Sequence, residues 1–228
     1  MCSNYRPSKP DQILNHFGVS LKQGDLAFEA WPGYAGSIIR PTRDLHEDIL
    51  ECIPACFGIV TSWADPKKAF RNTYNARTET VSTKPSYRNA WKKRQFCIIP
   101  TELFFEPCYE TGVSVRWKIE HKTGRPLGIA GIYEWRPDGG PDNGPLTSFS
   151  MLTVNATDHE LMKRFHRPED EKRMVVILEP QQYQDWLFAS LEDIDKFLIQ
   201  YPADSLIAAP APLPPRSKIK EKQDSKAA

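Results

Sequence analysis

Apolar and polar residues alternate most cleanly along residues 113–120, Val-Ser-Val-Arg-Trp-Lys-Ile-Glu, where four apolar side chains interleave with four polar ones. A two-residue period of this kind predicts a half-buried strand. More continuous apolar runs at 57–60, 96–99, 127–133, 149–154 and 174–178 are separated by Gly, Pro and Asp clusters and predict further strands. Helical spacing is confined to short stretches. Residues 11–17 place Ile13, Leu14 and Phe17 on one face between Pro10 and Gly18, with similar patterns at 181–188 and 191–199. A short helix over 85–94 would turn Trp91 inward. The pattern predicts an α+β protein with a mainly antiparallel, barrel-like β core and short peripheral helices.

No segment repeats with a period of 20 to 50 residues, which argues against a solenoid or propeller. From Ala208 the chain carries four prolines, alternating lysines and few large apolar side chains, so residues 1–207 are expected to form one domain and 208–228 a disordered tail. With 40% hydrophobic and 26% charged residues in 228, global disorder and collagen-like or coiled-coil architectures are excluded for the body. The longest apolar stretch, residues 127–133, is far too short to span a membrane, and the first residues lack a signal-peptide core. A cytoplasmic protein, monomeric and free of membrane, is the expectation.

The net charge of +1 hides an asymmetry. Residues 67–94 hold nine cations against the single acid Glu79, or +8, and the tail adds +3, leaving −10 on the remainder. A cationic segment on an acidic body points to a polyanionic partner. Trp63, Phe70, Tyr74, Tyr87 and Trp91 lie in or beside that segment, an interleaving of aromatics and cations that single-strand binders use for stacking and phosphate contact.

Five cysteines, Cys2, Cys52, Cys56, Cys97 and Cys108, are odd in number and irregularly spaced, as expected of reduced thiols rather than a disulfide framework. Cys52-x-x-x-Cys56 has no neighbouring ligand pair, and His46 is too isolated to complete a zinc site. Gly139-Gly140 sits in a Pro/Asp turn and not in a phosphate-binding loop. Neither metal nor cofactor is expected. Cys2 carries the sharpest chemistry: removal of Met1 would leave an α-amine and a thiol on one residue. At pH 7 about 14% of such an amine is unprotonated, against about 0.04% of a lysine, which favours imine formation with an aldehyde. The thiol can then close the imine to a five-membered thiazolidine.

Further motifs accompany that residue. Asn75-Ala76-Arg77-Thr78-Glu79-Thr80 lies in the basic segment, followed by Lys84-Pro85-Ser86-Tyr87-Arg88, Cys97-Ile98-Ile99-Pro100-Thr101-Glu102-Leu103-Phe104-Phe105-Glu106, Ala130-Gly131-Ile132-Tyr133-Glu134, and His166 ahead of Arg173-Met174-Val175-Val176-Ile177-Leu178. From Cys2 to about Trp186 this ordered set resembles the SOS-response-associated peptidase (SRAP) family. The resemblance implies the SRAP fold and a sensor that cross-links covalently to abasic sites in single-stranded DNA through Cys2, with possible strand cleavage by β-elimination. It further implies Glu106 and His166 as proton-transfer groups, Asn75 as the residue that orients the amine or sugar, and Arg77 as a phosphate contact. Trp63 would then wedge beside the lesion, while Lys67, Lys68, Arg164 and Arg167 would add phosphate contacts.

The family often begins Met-Cys-Gly-Arg, whereas this chain has Ser3-Asn4 and so lacks one expected phosphate-binding Arg; Leu103 and Pro107 replace a common Gly and Trp. Six residues separate His166 from Arg173, which implies a longer loop than the family's compact spacing. Two other functions remain open on the sequence. The chain could be a thiol peptidase using Cys2, as the family name suggests, or a non-catalytic single-stranded DNA-binding module.

Overall fold

A computed structural model describes residues 2–22, 24–42 and 49–213. In chain order the elements are β1 (Asn4–Pro7), α1 (Pro10–Phe17), β2 (Ala35–Pro41), β3 (Leu50–Phe57), β4 (Asn75–Arg77), α2 (Arg88–Lys92), β5 (Phe96–Cys108), β6 (Val115–His121), β7 (Leu127–Arg136), β8 (Leu146–Asn155), β9 (Arg173–Val175), β10 (Ile177–Leu178), α3 (Tyr183–Leu187) and β11 (Leu206–Pro210). Pairing runs β7-β8-β3-β2-β5 and returns from β5 to β7, which closes a five-stranded barrel. All of these pairs are antiparallel except β3 with β8. Closure leaves no open edge in the ring, and interior-facing side chains fill its lumen.

The lumen holds an aromatic cluster. Tyr5 meets Phe57 edge-on at 5.2 Å between centroids, and Phe57 stacks on Phe149 at 5.3 Å. Gly36 lets β2 pass under Tyr5, because a Cβ there would run into the tyrosine hydroxyl. α1 closes one side with Ile13 buried; Pro10 opens it and Gly18, at φ 72°, ends it in the left-handed conformation.

The 13 residues of β5 serve two neighbourhoods. Its first half, 96–101, pairs with β7 inside the barrel, and its second half, 104–108, pairs with β6 beyond it. β1 runs along the other edge, Asn4 opposite Phe105 and Tyr5 opposite Phe104. The change of partners carries Glu106 out to the barrel mouth, beside the start of the chain.

The α+β, barrel-like core with short peripheral helices is as the sequence pattern predicts. Differences are local. The run at 57–60 is a strand only at Phe57, the last residue of β3, because Gly58 at φ 111° turns the chain away over the backbone of Phe70. Residues 191–199 form only a 3₁₀ turn, Ile194–Phe197, whose two ends are the buried side chains. The tail expected from residue 208 starts too early, because Ala208–Pro210 complete β11 and pair with residues 117–119 of β6. Residues 214–228 lie outside the described residues, as does His46.

Candidate active site

Cys2 lies just before β1, with only 1% of its surface exposed. Its carbonyl accepts a 2.7 Å hydrogen bond from Asn75 Nδ2, and its thiol points to the carbonyl of Asn4 at 3.5 Å. Burial pushes the Cys2 thiol well above its ordinary range, and the nearby charge of Glu106 pushes it in the same direction. The residue is therefore a thiol at neutral pH and not a thiolate.

Asn75 opens β4, which lies parallel to β8 with Asn75 level with Met151. The phenol of Tyr87, in the turn before α2, donates to the Asn75 carbonyl at 2.9 Å. Asn75 is thus held through its backbone while its amide donates to Cys2. Its Oδ1 is buried and finds no hydrogen-bond partner among the described residues.

Glu106 stands opposite Trp117 of β6 and is 1% exposed. His166 Nε2 lies 2.9 Å from Glu106 Oε2, both groups within the protein interior. The histidine reaches this position through a left-handed backbone, φ 65°, pinned by its own N–H donating to Pro107 O at 2.8 Å. Such a conformation is uncommon outside glycine, though histidine, with Asn and Asp, is enriched there. Its Nδ1 is buried and finds no partner among the described residues. The arrangement offers a thiol, a carboxyl–imidazole pair able to move a proton, and an amide that fixes the backbone of the thiol residue.

The SOS response associated peptidase (SRAP) model matches residues 1–212. The chain belongs to the SRAP family. Among SRAP-like relatives, the abasic site processing protein YoqW of Bacillus subtilis is 31% identical over 157 residues, 67% of this chain and 65% of YoqW. The chicken abasic site processing protein HMCES is 26% identical over 178 residues, 68% of this chain and 50% of HMCES. The matched region therefore spans about two thirds of the bacterial relative and half of the vertebrate one. A crystal structure of a Bordetella bronchiseptica protein superimposes with a TM-score of 0.83 at 35% identity, covering 93% of this chain and all of that one. A Bacteroides thetaiotaomicron structure shares the fold at TM-score 0.73 and 21% identity, covering 91% of this chain and 90% of that one.

The SRAP candidate residues for DNA contact are spread around this centre. Arg77 projects from the end of β4, half exposed, and donates to Glu171 at 2.8 Å. Arg164 donates to both oxygens of Glu110, at 2.8 and 3.0 Å, and lies over the Trp117 ring. Arg167 is exposed and faces Tyr109 at 6.0 Å. Lys67 and Lys68 are exposed on the loop of Trp63, Lys68 lying 3.8 Å from Asp65. Trp63 itself is 69% exposed, on a loop anchored by Arg136 donating to the carbonyls of Thr61 and Ala64. Tyr87 and Trp91 are buried and leave no face for stacking. Cys52 and Cys56 lie on β3, where burial pushes their thiols up to about 12 and about 11.

Sequence reasoning missed three participants. Glu171 and Glu110 hold the two arginines, and neither lies in a motif. Arg116 of β6 bonds Asn4 Oδ1 and Glu29, and covers Phe105 at 3.3 Å, so a cation does reach Asn4 although the chain lacks an Arg there. Its only trace in the sequence was its place among the polar positions of the alternating strand.

Proposed function

We propose that the protein captures abasic sites in single-stranded DNA covalently through Cys2, once Met1 has been removed, acting as a monomer. The abasic deoxyribose carries a masked aldehyde at C1′. The freed amine adds to that carbon, and loss of one water leaves an imine. The thiol sulfur then adds to the imine carbon while its proton moves to the nitrogen, which closes a thiazolidine. Since the thiol starts protonated, the closing step needs a proton acceptor and a return path, the role we assign to Glu106 with His166. Asn75 orients Cys2, and Arg77, Arg164, Arg167, Lys67 and Lys68 meet phosphates, with Trp63 against the neighbouring base. Strand cleavage by β-elimination would use the same imine before ring closure.

The observation that carries this reading is the convergence of Cys2, Asn75 and the buried Glu106–His166 pair at one barrel mouth. The names of YoqW and HMCES support abasic sites as the substrate class. A peptidase mechanism draws less support, because a thiol nucleophile of that type needs a lowered pKa and a direct imidazole contact. Here the thiol is pushed up, and the imidazole Nε2 faces Glu106.

The test is a denaturing gel with abasic, uracil-containing and intact oligonucleotides. An adduct should form on the abasic strand alone, with the protein beginning at Cys2 by mass spectrometry. Cys2→Ala should abolish it, while Cys52→Ala, Cys97→Ala and Cys108→Ala should leave it. A stable adduct from the Cys2→Ala protein, or from one retaining Met1, would refute the mechanism.

A further inference from the structure

Lys84, Arg88 and Lys92 recur every four residues along α2 and the turn that precedes it. Arg88 N–H donates to Lys84 O at 2.9 Å across the turn that leads into α2, and Trp91 N–H to Tyr87 O and Lys93 N–H to Asn89 O, each at 3.0 Å, continue into the helix. Within α2 the step from Arg88 to Lys92 turns by only about 40° and rises about 6 Å, and the turn hydrogen bond holds Lys84 just ahead of Arg88, so the three cations follow one another as a row. Tyr87, Ala90 and Trp91, between and beside them, are buried. All three cations are exposed, as are Lys93 and Arg94 behind them, and none makes an ion pair among the described residues.

As a purely structural device the row is poor. Like charges four residues apart repel, and α2 has only five residues with no acid in its first turn to offset them. Glu134, which accepts from Asn89 at 2.9 Å, is buried and makes no ion pair with the row among the described residues. The row therefore offers uncompensated positive charge to an elongated anion.

Its position says which anion. Successive turns step from Arg77 toward α2: Val81 N–H donates to Arg77 O at 2.9 Å, Lys84 N–H to Thr80 O at 3.0 Å, and Arg88 N–H to Lys84 O at 2.9 Å. Tyr87 ties the far end of this staircase to Asn75 at 2.9 Å, and Asn75 holds Cys2. A strand leaving the Cys2 mouth past Arg77 is delivered to Lys84, Arg88 and Lys92 in turn. No aromatic of this segment is exposed, so the row can meet phosphates and cannot stack on bases.

We propose that Lys84, Arg88 and Lys92 form a sequence-independent track for the phosphate backbone of single-stranded DNA outside the nucleotides at Cys2. The proposal rests on the reading that the Cys2 mouth takes DNA, and adds a second source of its salt-dependent affinity. Unmodified oligothymidylates of about 6 and about 20 nucleotides are the probes, since the shorter covers only the mouth. Binding is measured by fluorescence anisotropy across a salt series for the wild type and the triple variant K84Q/R88Q/K92Q. Glutamine keeps helix propensity at these exposed positions, and Arg88→Gln alone serves as the lighter variant.

On the longer probe the triple variant should lose about 10- to 100-fold in affinity at 0.1 M salt, and its log–log salt slope should flatten by about 2 units, at about 0.7 per contact. Arg88→Gln should flatten the slope by about 0.7. On the shorter probe the proteins should bind alike. Parallel salt curves on the longer probe, or an equal loss on the shorter one, would overturn the proposal. The same longer strand carrying one abasic site separates the two readings. If neither protein forms an adduct, the Cys2 reading fails while the salt curves still decide the track; if both form it at saturation but the salt curves coincide, the track fails and the Cys2 reading stands.

Discussion

Two sets of cations flank the Cys2 mouth, and they differ in what they already hold. Beside the mouth, Arg77 is bound by Glu171 and Arg164 by both oxygens of Glu110. Along α2 and the turn before it, Lys84, Arg88 and Lys92 face solvent with no acid partner among the described residues. Glu171 does more than occupy Arg77, since it also accepts from Arg173 at 2.7 Å and Asn155 at 3.0 Å. If Arg77 leaves for a phosphate, Glu171 keeps two donors and Arg77 exchanges one anion for another. The bound arginines are thereby fixed in place, and their net attraction for any passing strand is reduced. The open row has no such competitor and attracts polyanions at a distance. On the proposed function, the task of α2 is to gather DNA and that of the Cys2 site is to react with the lesion.

The largest effect expected is one that breaks chemistry and leaves both cation sets intact. Glu106→Gln keeps the shape and a hydrogen bond toward His166 but removes the proton acceptor, so adduct formation should slow by about 100-fold or more. Affinity for an intact strand and its salt slope should stay at wild-type values, measured by single-turnover gels beside anisotropy. An unchanged single-turnover rate would show that the proton goes elsewhere.

His166 sharpens the comparison from inside the mouth. Because its backbone sits at φ 65°, alanine would add strain unrelated to the imidazole, whereas asparagine tolerates that conformation and cannot act as a base near neutrality. His166→Asn should reduce nicking of an abasic strand by about 10-fold or more, with the thiazolidine still forming. If binding, cross-linking and nicking all fell by the same factor, the residue would be structural, a brace between Pro107 and the loop.

How far the sequence revealed this site depends on the kind of link between its parts. The strand pattern was legible where alternation or unbroken apolar runs dominate, as in β6, β7 and β8. It was silent on β1, β2 and most of β3, where prolines at 41 and 54, Gly36 and buried polar groups such as Ser37 and Arg40 interrupt the period. Barrel closure depends on β5 pairing both β2 and β7, a long-range contact that leaves no mark in local periodicity. Cys2, Asn75, Glu106 and His166 could be named from motifs, yet only the fold shows that β5, β4 and a left-handed loop bring them to one mouth. The carboxylates on the arginines were invisible, since Glu171 is 94 residues from Arg77 and Glu110 is 54 from Arg164. The same limit applies to the basic segment, where counting charge could not separate cations that are bound from those left open.

The smallest expected effect tests the restraint itself. Glu171→Gln removes the charge that competes for Arg77 while its amide oxygen can still accept from Arg173. An exposed pair of this type contributes about 0.2 to 1 kcal/mol, so freeing Arg77 should tighten binding to intact single strands by about 1.4- to 5-fold. The gain should appear on a short probe that covers only the mouth, and equally in K84Q/R88Q/K92Q, because the two sets act on different phosphates and their effects add. Arg173 is 1% exposed and depends on Glu79 and Glu171 for neutralisation, so a modest drop in melting temperature should accompany the tighter binding. That opposition is the diagnostic: general loosening would lower stability and affinity together, whereas release of a held arginine lowers the first and raises the second. Should affinity stay flat on both probes, Glu171 is only the counter-ion of Arg173, and the contrast between held and open cations has no part in how the protein selects its strand.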